Sequence, residues 1–169
     1  MKLIQCPKTV LTEFDTDKSS HLMSSLYQQQ KLYEKEYGPL IFMGGGITSC
    51  PLWQDAVIKL MKNDKCVLLN PRRESWDNTI LGKEQIEWEN IHLKLANKIM
   101  FWFPKETLCP ITLFELGKYL MTDKELFIGC HPGYKRKEDV VIQTNLERPD
   151  TVIHSSLEDL VESIRKNLN

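Results

Sequence analysis

No apolar run in this 169-residue chain approaches the roughly 18 residues that a membrane span requires, so a membrane partner is not expected. The N-terminus offers one Lys and then Cys6-Pro7-Lys8, without an apolar core of signal-peptide length, which predicts a cytoplasmic protein. Net charge is nearly absent, since 22 Lys and Arg stand against 23 Asp and Glu to leave -1. That balance supplies no field for gripping a nucleic-acid polymer. The five cysteines are odd in number and show neither CxxC nor a Cys/His spacing suited to zinc, so no metal is expected. Cys66 and Cys130 sit in strand-like apolar runs and read as small buried hydrophobes in a reducing compartment. Internal repeats and low-complexity tracts are missing. A dinucleotide fingerprint is missing too, because the third glycine of G-x-G-x-x-G is replaced by Ser49, and no cofactor is expected.

What remains has ordinary globular composition, 41% hydrophobic and 27% charged, at a length that fits one domain. Residues 1–38 are rich in Ser, Gln, Lys and Tyr, with a helical stretch at 24–31. They read as an N-terminal arm packing on the domain or on a neighbouring subunit. Residues 39–169 alternate between strand and helix patterns. Leu40-Ile41-Phe42-Met43 is a short apolar run ending in Gly44-Gly45-Gly46. Residues 51–62 have helical spacing, with Trp53, Val57, Leu60 and Met61 on one side. Cys66-Val67-Leu68-Leu69 is a second strand closed by Asn70-Pro71, residues 82–96 a second helix, and residues 99–103 a third strand. Residues 110–121 form a third helix, with Pro110 at its first position where the missing N–H does no harm. Leu126-Phe127-Ile128-Gly129 is a fourth strand and Val152-Ile153-His154 a fifth, after which Ser155 caps a last helix through Leu168. This alternation predicts a doubly wound, flavodoxin-like α/β domain: a parallel sheet of about five strands with helices on both faces.

Chemistry in such folds gathers in the loops at the carboxyl ends of strands. On a 3.6-residue wheel, the helix at 82–96 puts Glu87, Asn90 and Lys94 on a narrow polar face. Glu89 and His92 fall inside the broad apolar arc of Ile86, Trp88, Ile91, Leu93, Leu95 and Ala96. A carboxylate there either reaches solvent at the arc's edge or is aimed into a cleft, since burying it bare is costly. His92 reads as structural. In the helix at 110–121, Leu113, Leu116, Gly117 and Leu120 form the sheet-facing stripe, with Gly117 permitting close approach. Periodicity alone leaves Glu115 in solvent. Its place in the second turn after a strand, however, overhangs the sheet's carboxyl edge, and Glu115 is the first candidate for catalysis. Gly44, Gly45 and Gly46 either expose backbone N–H groups to a sugar or phosphate or form a tight turn. Thr48 and Ser49 either donate to a phosphate or cap the helix at Pro51. Arg72 and Arg73 are phosphate-ligand or surface ion-pair candidates. Trp76, in a polar segment, either stacks on a base or is an exposed loop aromatic. Residues 131–136 follow the fourth strand, and no chemistry is assigned to them.

Four segments, Ile41-Phe42-Met43-Gly44-Gly45-Gly46-Ile47-Thr48, Leu69-Asn70-Pro71-Arg72-Arg73, Gln85-Ile86-Glu87-Trp88-Glu89 and Phe101-Trp102-Phe103-Pro104-Lys105-Glu106-Thr107 running on to Phe114-Glu115-Leu116-Gly117, resemble the nucleoside 2-deoxyribosyltransferase-like superfamily. The resemblance spans about residues 40–146. It implies a doubly wound sheet and cleavage of the N-glycosidic bond of a nucleoside or nucleotide. It implies Glu115 as the nucleophile and Glu89 as the acid of the preceding helix, one methylene longer than the usual Asp. Cys109 stands where the transferase branch has Asp and hydrolysing relatives have Ser. Pro110-Ile111-Thr112-Leu113-Phe114 replaces a Gly-rich approach, so hydrolysis is as open as base exchange. Asn70, Cys109 and Thr112 join the substrate-binding candidates on this basis, and a homo-oligomer is expected because relatives often complete each site with a neighbouring subunit. Two other readings stay open: a nucleotide-sensing module that keeps the pocket without turnover, and an interaction domain with no ligand.

Overall fold

The computed structural model describes residues 1–7, 19–73 and 82–168, with side chains described from residue 24 onward in the first helix. Among these residues the order is β1 (Lys2–Gln5), α1 (Ser19–Tyr37), β2 (Leu40–Gly45), α2 (Trp53–Leu60), β3 (Val67–Asn70), α3 (Gly82–Leu95), β4 (Lys98–Phe103), α4 (Pro110–Leu120), β5 (Glu125–Cys130), α5 (Lys137–Glu147), β6 (Ile153–His154) and α6 (Leu157–Lys166). The six strands form one sheet in the order β1-β3-β2-β4-β5-β6, and every pairing is parallel. The doubly wound α/β class expected from the alternation is therefore the observed one, with one strand more than about five.

Successive residues of the central strands serve opposite faces, as the pleat requires. Leu40 and Phe42 join one core with Trp88, Leu93, Leu116, Tyr119 and Val140, while Ile41 and Met43 join a second with Trp53, Val57, Met61, Leu160, Val161 and Ile164. Helices α3, α4 and α5 thus cover one face and α2 and α6 the other. Strands buried on both sides read as continuous apolar runs rather than alternating ones. That is why β2 to β5 were legible.

The N-terminal residues are built into the sheet: β1 is its edge strand, with Lys2 opposite Val67 and Gln5 opposite Asn70. Lys2 places its ammonium over the rings of Tyr33 and Tyr37 in α1. Three local expectations are corrected. Helix α2 begins at Trp53, two residues after Pro51, and neither Thr48 nor Ser49 caps it, because Ser49 takes a left-handed φ of 56° and Leu52 occupies the cap position without a side-chain bond. The last helix is capped by Ser156, not Ser155: its hydroxyl accepts the Asp159 N–H at 3.1 Å. Helix α5, unforeseen, buries only Val140 and Thr144, too sparse a stripe for periodicity to reveal. It is followed by Arg148, which donates to the carbonyls of Leu120 and Lys124 at 3.0 and 2.8 Å and so fastens the carboxyl end of α4.

Candidate active site

The chain leaves β2 toward β3 on one side and reaches β4 on the other, so the β2/β4 junction is the switch point of the sheet. In open α/β sheets a crevice forms there, at the carboxyl ends of the strands. A cavity of about 480 Å³ occupies that place, walled by Gly44 to Thr48 after β2, Gln85, Ile86 and Glu89 of α3, and Thr107, Cys109, Thr112 and Glu115 around the start of α4. Its size lies within the range of small-molecule sites.

The glycines after β2 are set by close packing. A Cβ on Gly45 would meet the Trp53 ring at 2.4 Å, and one on Gly46 would meet the Thr107 methyl at 2.7 Å and Cys109 Sγ at 3.0 Å. The carbonyl of Gly46 accepts the indole N–H of Trp53 at 2.7 Å, which holds the turn against α2. Across the cavity, Cys109 takes a φ of 47° as the residue before Pro110, and its carbonyl accepts the Leu113 N–H at 3.0 Å. Left-handed φ at a non-glycine residue is costly and tends to persist where function needs it. The loop leading into α4 is buttressed by Tyr134, whose hydroxyl donates to the Leu108 carbonyl at 2.7 Å. The segment 131–136, left without chemistry, thereby supports the site's architecture.

Helix α4 is rotated from the wheel's expectation. Thr112, Glu115, Leu116, Tyr119 and Leu120 are buried, while Gly117 is exposed, with nothing within 4 Å of a Cβ placed there. Glu115 is therefore 9% exposed and faces the cavity rather than solvent. No described residue donates a hydrogen bond to it. Burial first, and the charge of Glu89 second, push its carboxyl up to about 8, against a weaker opposing pull from Lys118. Glu89 is also raised by burial, but here the Gln85 hydrogen bond and the Arg73 charge oppose the shift. Gln85 Nε2 donates to Glu89 Oε1 at 2.8 Å.

The other candidates divide between cavity and scaffold. Gly44, Gly45, Gly46, Thr48, Cys109 and Thr112 line the cavity. Asn70, Arg72 and Arg73 do not: Asn70 Oδ1 accepts the Arg72 backbone N–H at 3.0 Å. The Arg72 guanidinium donates to Gln54 Oε1 at 2.9 Å and to the Ile47 carbonyl at 2.8 Å. Arg73 donates to Gln85 Oε1 at 2.8 Å and pairs with Glu84 at 2.9 Å. These bonds tie all three residues into the fold. Trp76 lies outside the described residues. His92 is structural, stacked on Trp88 at 3.8 Å with Nδ1 2.7 Å from the Trp88 carbonyl, and burial holds its ring down to about 4. Periodicity did not single out Gln85, although a polar residue four positions before Glu89 on the same helix face was a readable signal.

The family described as nucleoside 2-deoxyribosyltransferase like matches residues 38–134, more than half of the chain and all of the cavity wall. No curated protein shows significant similarity to it. No helix among the described residues is long and apolar enough to cross a membrane.

Proposed function

The chain belongs to the nucleoside 2-deoxyribosyltransferase-like family, and from that premise we propose that it cleaves the N-glycosidic bond of a nucleoside or nucleotide with Glu115 as nucleophile. The observation that carries this reading is the convergence of Glu115 and Glu89, from two different helices, on one cavity at the switch point. N-glycosidic cleavage passes through an oxocarbenium-like transition state, which a carboxylate stabilises and then captures, as in retaining glycosidases. The ionised Glu115 attacks C1′, and the C1′–N bond breaks with its electron pair passing to the base. The base leaves as a protonated species, its proton supplied by water. Water or a second base then attacks C1′ and releases the glutamate.

Glu89 differs in being held. With Oε1 bonded to Gln85, its other oxygen has no described donor and is available to a sugar hydroxyl. Because burial and the charge of Glu89 push Glu115 up to about 8, the reactive form grows as pH rises. Positive charge developing at C1′ favours the same ionisation. Homo-oligomerisation belongs to the reading: Ile86 and Ile111, at the cavity, are 65% and 63% exposed, and Phe114 on α4 is 73% exposed. A second copy would cover that apolar rim. The five free cysteines suit a cytoplasmic setting.

The decisive measurement is incubation with nucleosides and nucleotides at pH 6 to 9, followed by chromatography for free base. Base release that disappears in Glu115→Gln is the expected result. A protonated Glu115 at neutral pH equally suits a binding site that does not turn over, the sensing alternative. Ligand binding with no base released even at pH 9 would decide for the sensor.

A further inference from the structure

The cavity's α3 wall is backed by a set of hydrogen bonds that the reaction as outlined does not use. Gln85 is buried and makes four contacts through its amide. Its Oε1 accepts from Arg73 Nε at 2.8 Å and from the Cys6 thiol at 3.2 Å, and its Nε2 donates to the Pro71 carbonyl and to Glu89 Oε1, each at 2.8 Å. An amide's two ends look alike, but a guanidinium can only donate, so the end at Arg73 must be the oxygen. The nitrogen is thereby forced toward Glu89. Arg73 is itself fixed, with a 3% exposed side chain whose Nη2 pairs with Glu84 Oε2 at 2.9 Å. The pieces come from the end of β1, the segment after β3 and the first half of α3, with Cys6 and Gln85 separated by 79 residues.

We propose that Gln85 is a positioning residue for Glu89, its amide oriented by Arg73 and Cys6 so that Nε2 holds the carboxylate at one place on the cavity wall. The inference rests on the reading of Glu89 given above. Glutamate has three rotatable side-chain bonds, and a partly exposed one samples several rotamers unless it is tied. A donor four residues back on the same helix removes that freedom, and a buried cation behind the donor keeps the donor from turning. Correct placement of a group beside the reacting carbon is worth large factors in rate. The bond also favours the ionised carboxylate. The groups that act on Glu89 are Gln85 on its own helix, Arg73 from the segment after β3 and Glu115 from α4, with Glu84 and the Cys6 thiol behind them.

The test needs no substrate. In the full chain carrying Glu115→Gln, which removes the coupled neighbour, the Glu89 carboxyl is followed by NMR of labelled glutamate across pH. Adding Gln85→Leu is expected to raise its midpoint by about one unit, since a hydrogen bond to a charged group is lost. Arg73→Leu is expected to raise it too, although Arg73 does not line the cavity. Gln85→Met, which keeps the side chain's length and removes the donor without adding a charge, serves if Gln85→Leu does not fold, and again the midpoint rises. In the chain with Glu115 intact, Gln85→Leu should lower kcat about 10- to 100-fold, with a smaller change in KM. An unmoved Glu89 midpoint in the Gln85 variants overturns the proposal, whatever the activity. A chain that releases no base from any nucleoside sinks the proposed reaction, while the midpoint still decides the role of Gln85.

Discussion

On the α3 wall of the cavity, Glu89 accepts a hydrogen bond from Gln85 and feels the charge of Arg73; on the α4 wall, Glu115 has no described donor and faces the charge of Glu89. Both are glutamates, both line the same cavity, and both are raised by burial. The difference shows that the ionisation of two like groups is tuned by what backs them. Helix α3 is anchored from behind by residues of two other elements, whereas α4 enters from a left-handed Cys109 and presents in its second turn a buried carboxylate that no described residue bonds. Pairs of titratable groups pushed unequally by their surroundings mark the division of labour in an acid–base site.

The largest effect expected is at Glu115. Glu115→Gln should lower base release at least about 1,000-fold, since it removes the proposed nucleophile outright. Near-wild-type turnover in that variant would abolish the contrast between the walls. Glu89→Gln should cost less, about 10- to 100-fold, and should also displace the pH profile. In the wild type, kcat/KM is expected to rise with pH through about 8 as Glu115 ionises. Removing the like charge of Glu89 lowers the Glu115 pKa, so the rise should move to lower pH. A profile that stays in place would show that the two carboxyls do not communicate.

The same imbalance has a cost in stability. The folded pKa of Glu115, about 8, lies above its ordinary value of 4.5. Its contribution to stability is therefore fully present below about pH 4.5 and is lost as pH rises through 8. Glu115→Gln abolishes that loss. The variant should gain on the wild type steadily between those limits, reaching on the order of 1–3 kcal/mol, or several degrees in Tm, at pH 9. Parallel melting curves at pH 5, 7 and 9 measure it, and a difference independent of pH would contradict the buried, donor-free setting. The smallest effect is at Gly117→Ala. With open space where a Cβ would go, alanine relieves the entropic cost of glycine in a helix, and a gain of about 0.5–1 kcal/mol is expected by denaturant unfolding. Destabilisation there would mean that α4 turns its glycine to the sheet after all, with Glu115 outward.

That rotation of α4 is where the sequence was least legible. The wheel placed Leu113, Leu116 and Leu120 on the core side, where they pack, but counted Gly117 with them because it scored hydrophobic character alone. The buried face also includes Thr112, Glu115 and Tyr119, polar groups that periodicity assigns to water. A helix that borders a cavity has a buried face of mixed character, so a hydrophobic stripe misplaces it. Arg72 and Arg73 illustrate the reverse case. Their position past a strand suggested a ligand, but neither lines the cavity, and Nε and Nη2 of each bond to Gln54, Ile47, Gln85 and Glu84 within the fold. Strand β1 escaped notice because Lys2-Leu3-Ile4-Gln5 is short and lies at an edge, buried only at Ile4. Glu89 was visible as a carboxylate inside an apolar arc, since a charge in such a place is costly enough to stand out.

Local pattern alone determined the parallel α/β class, the bounds of β2 to β5 to within about two residues, and the two helices that carry acids. Those features follow from which side chains avoid water along a short stretch, a property each segment possesses by itself. The order β3-β2-β4, the meeting of the loops after β2 and β4, and the alignment of Cys6, Arg73, Gln85 and Glu89 came only with the tertiary structure. They depend on contacts between residues far apart in the chain, whose energies no single segment contains.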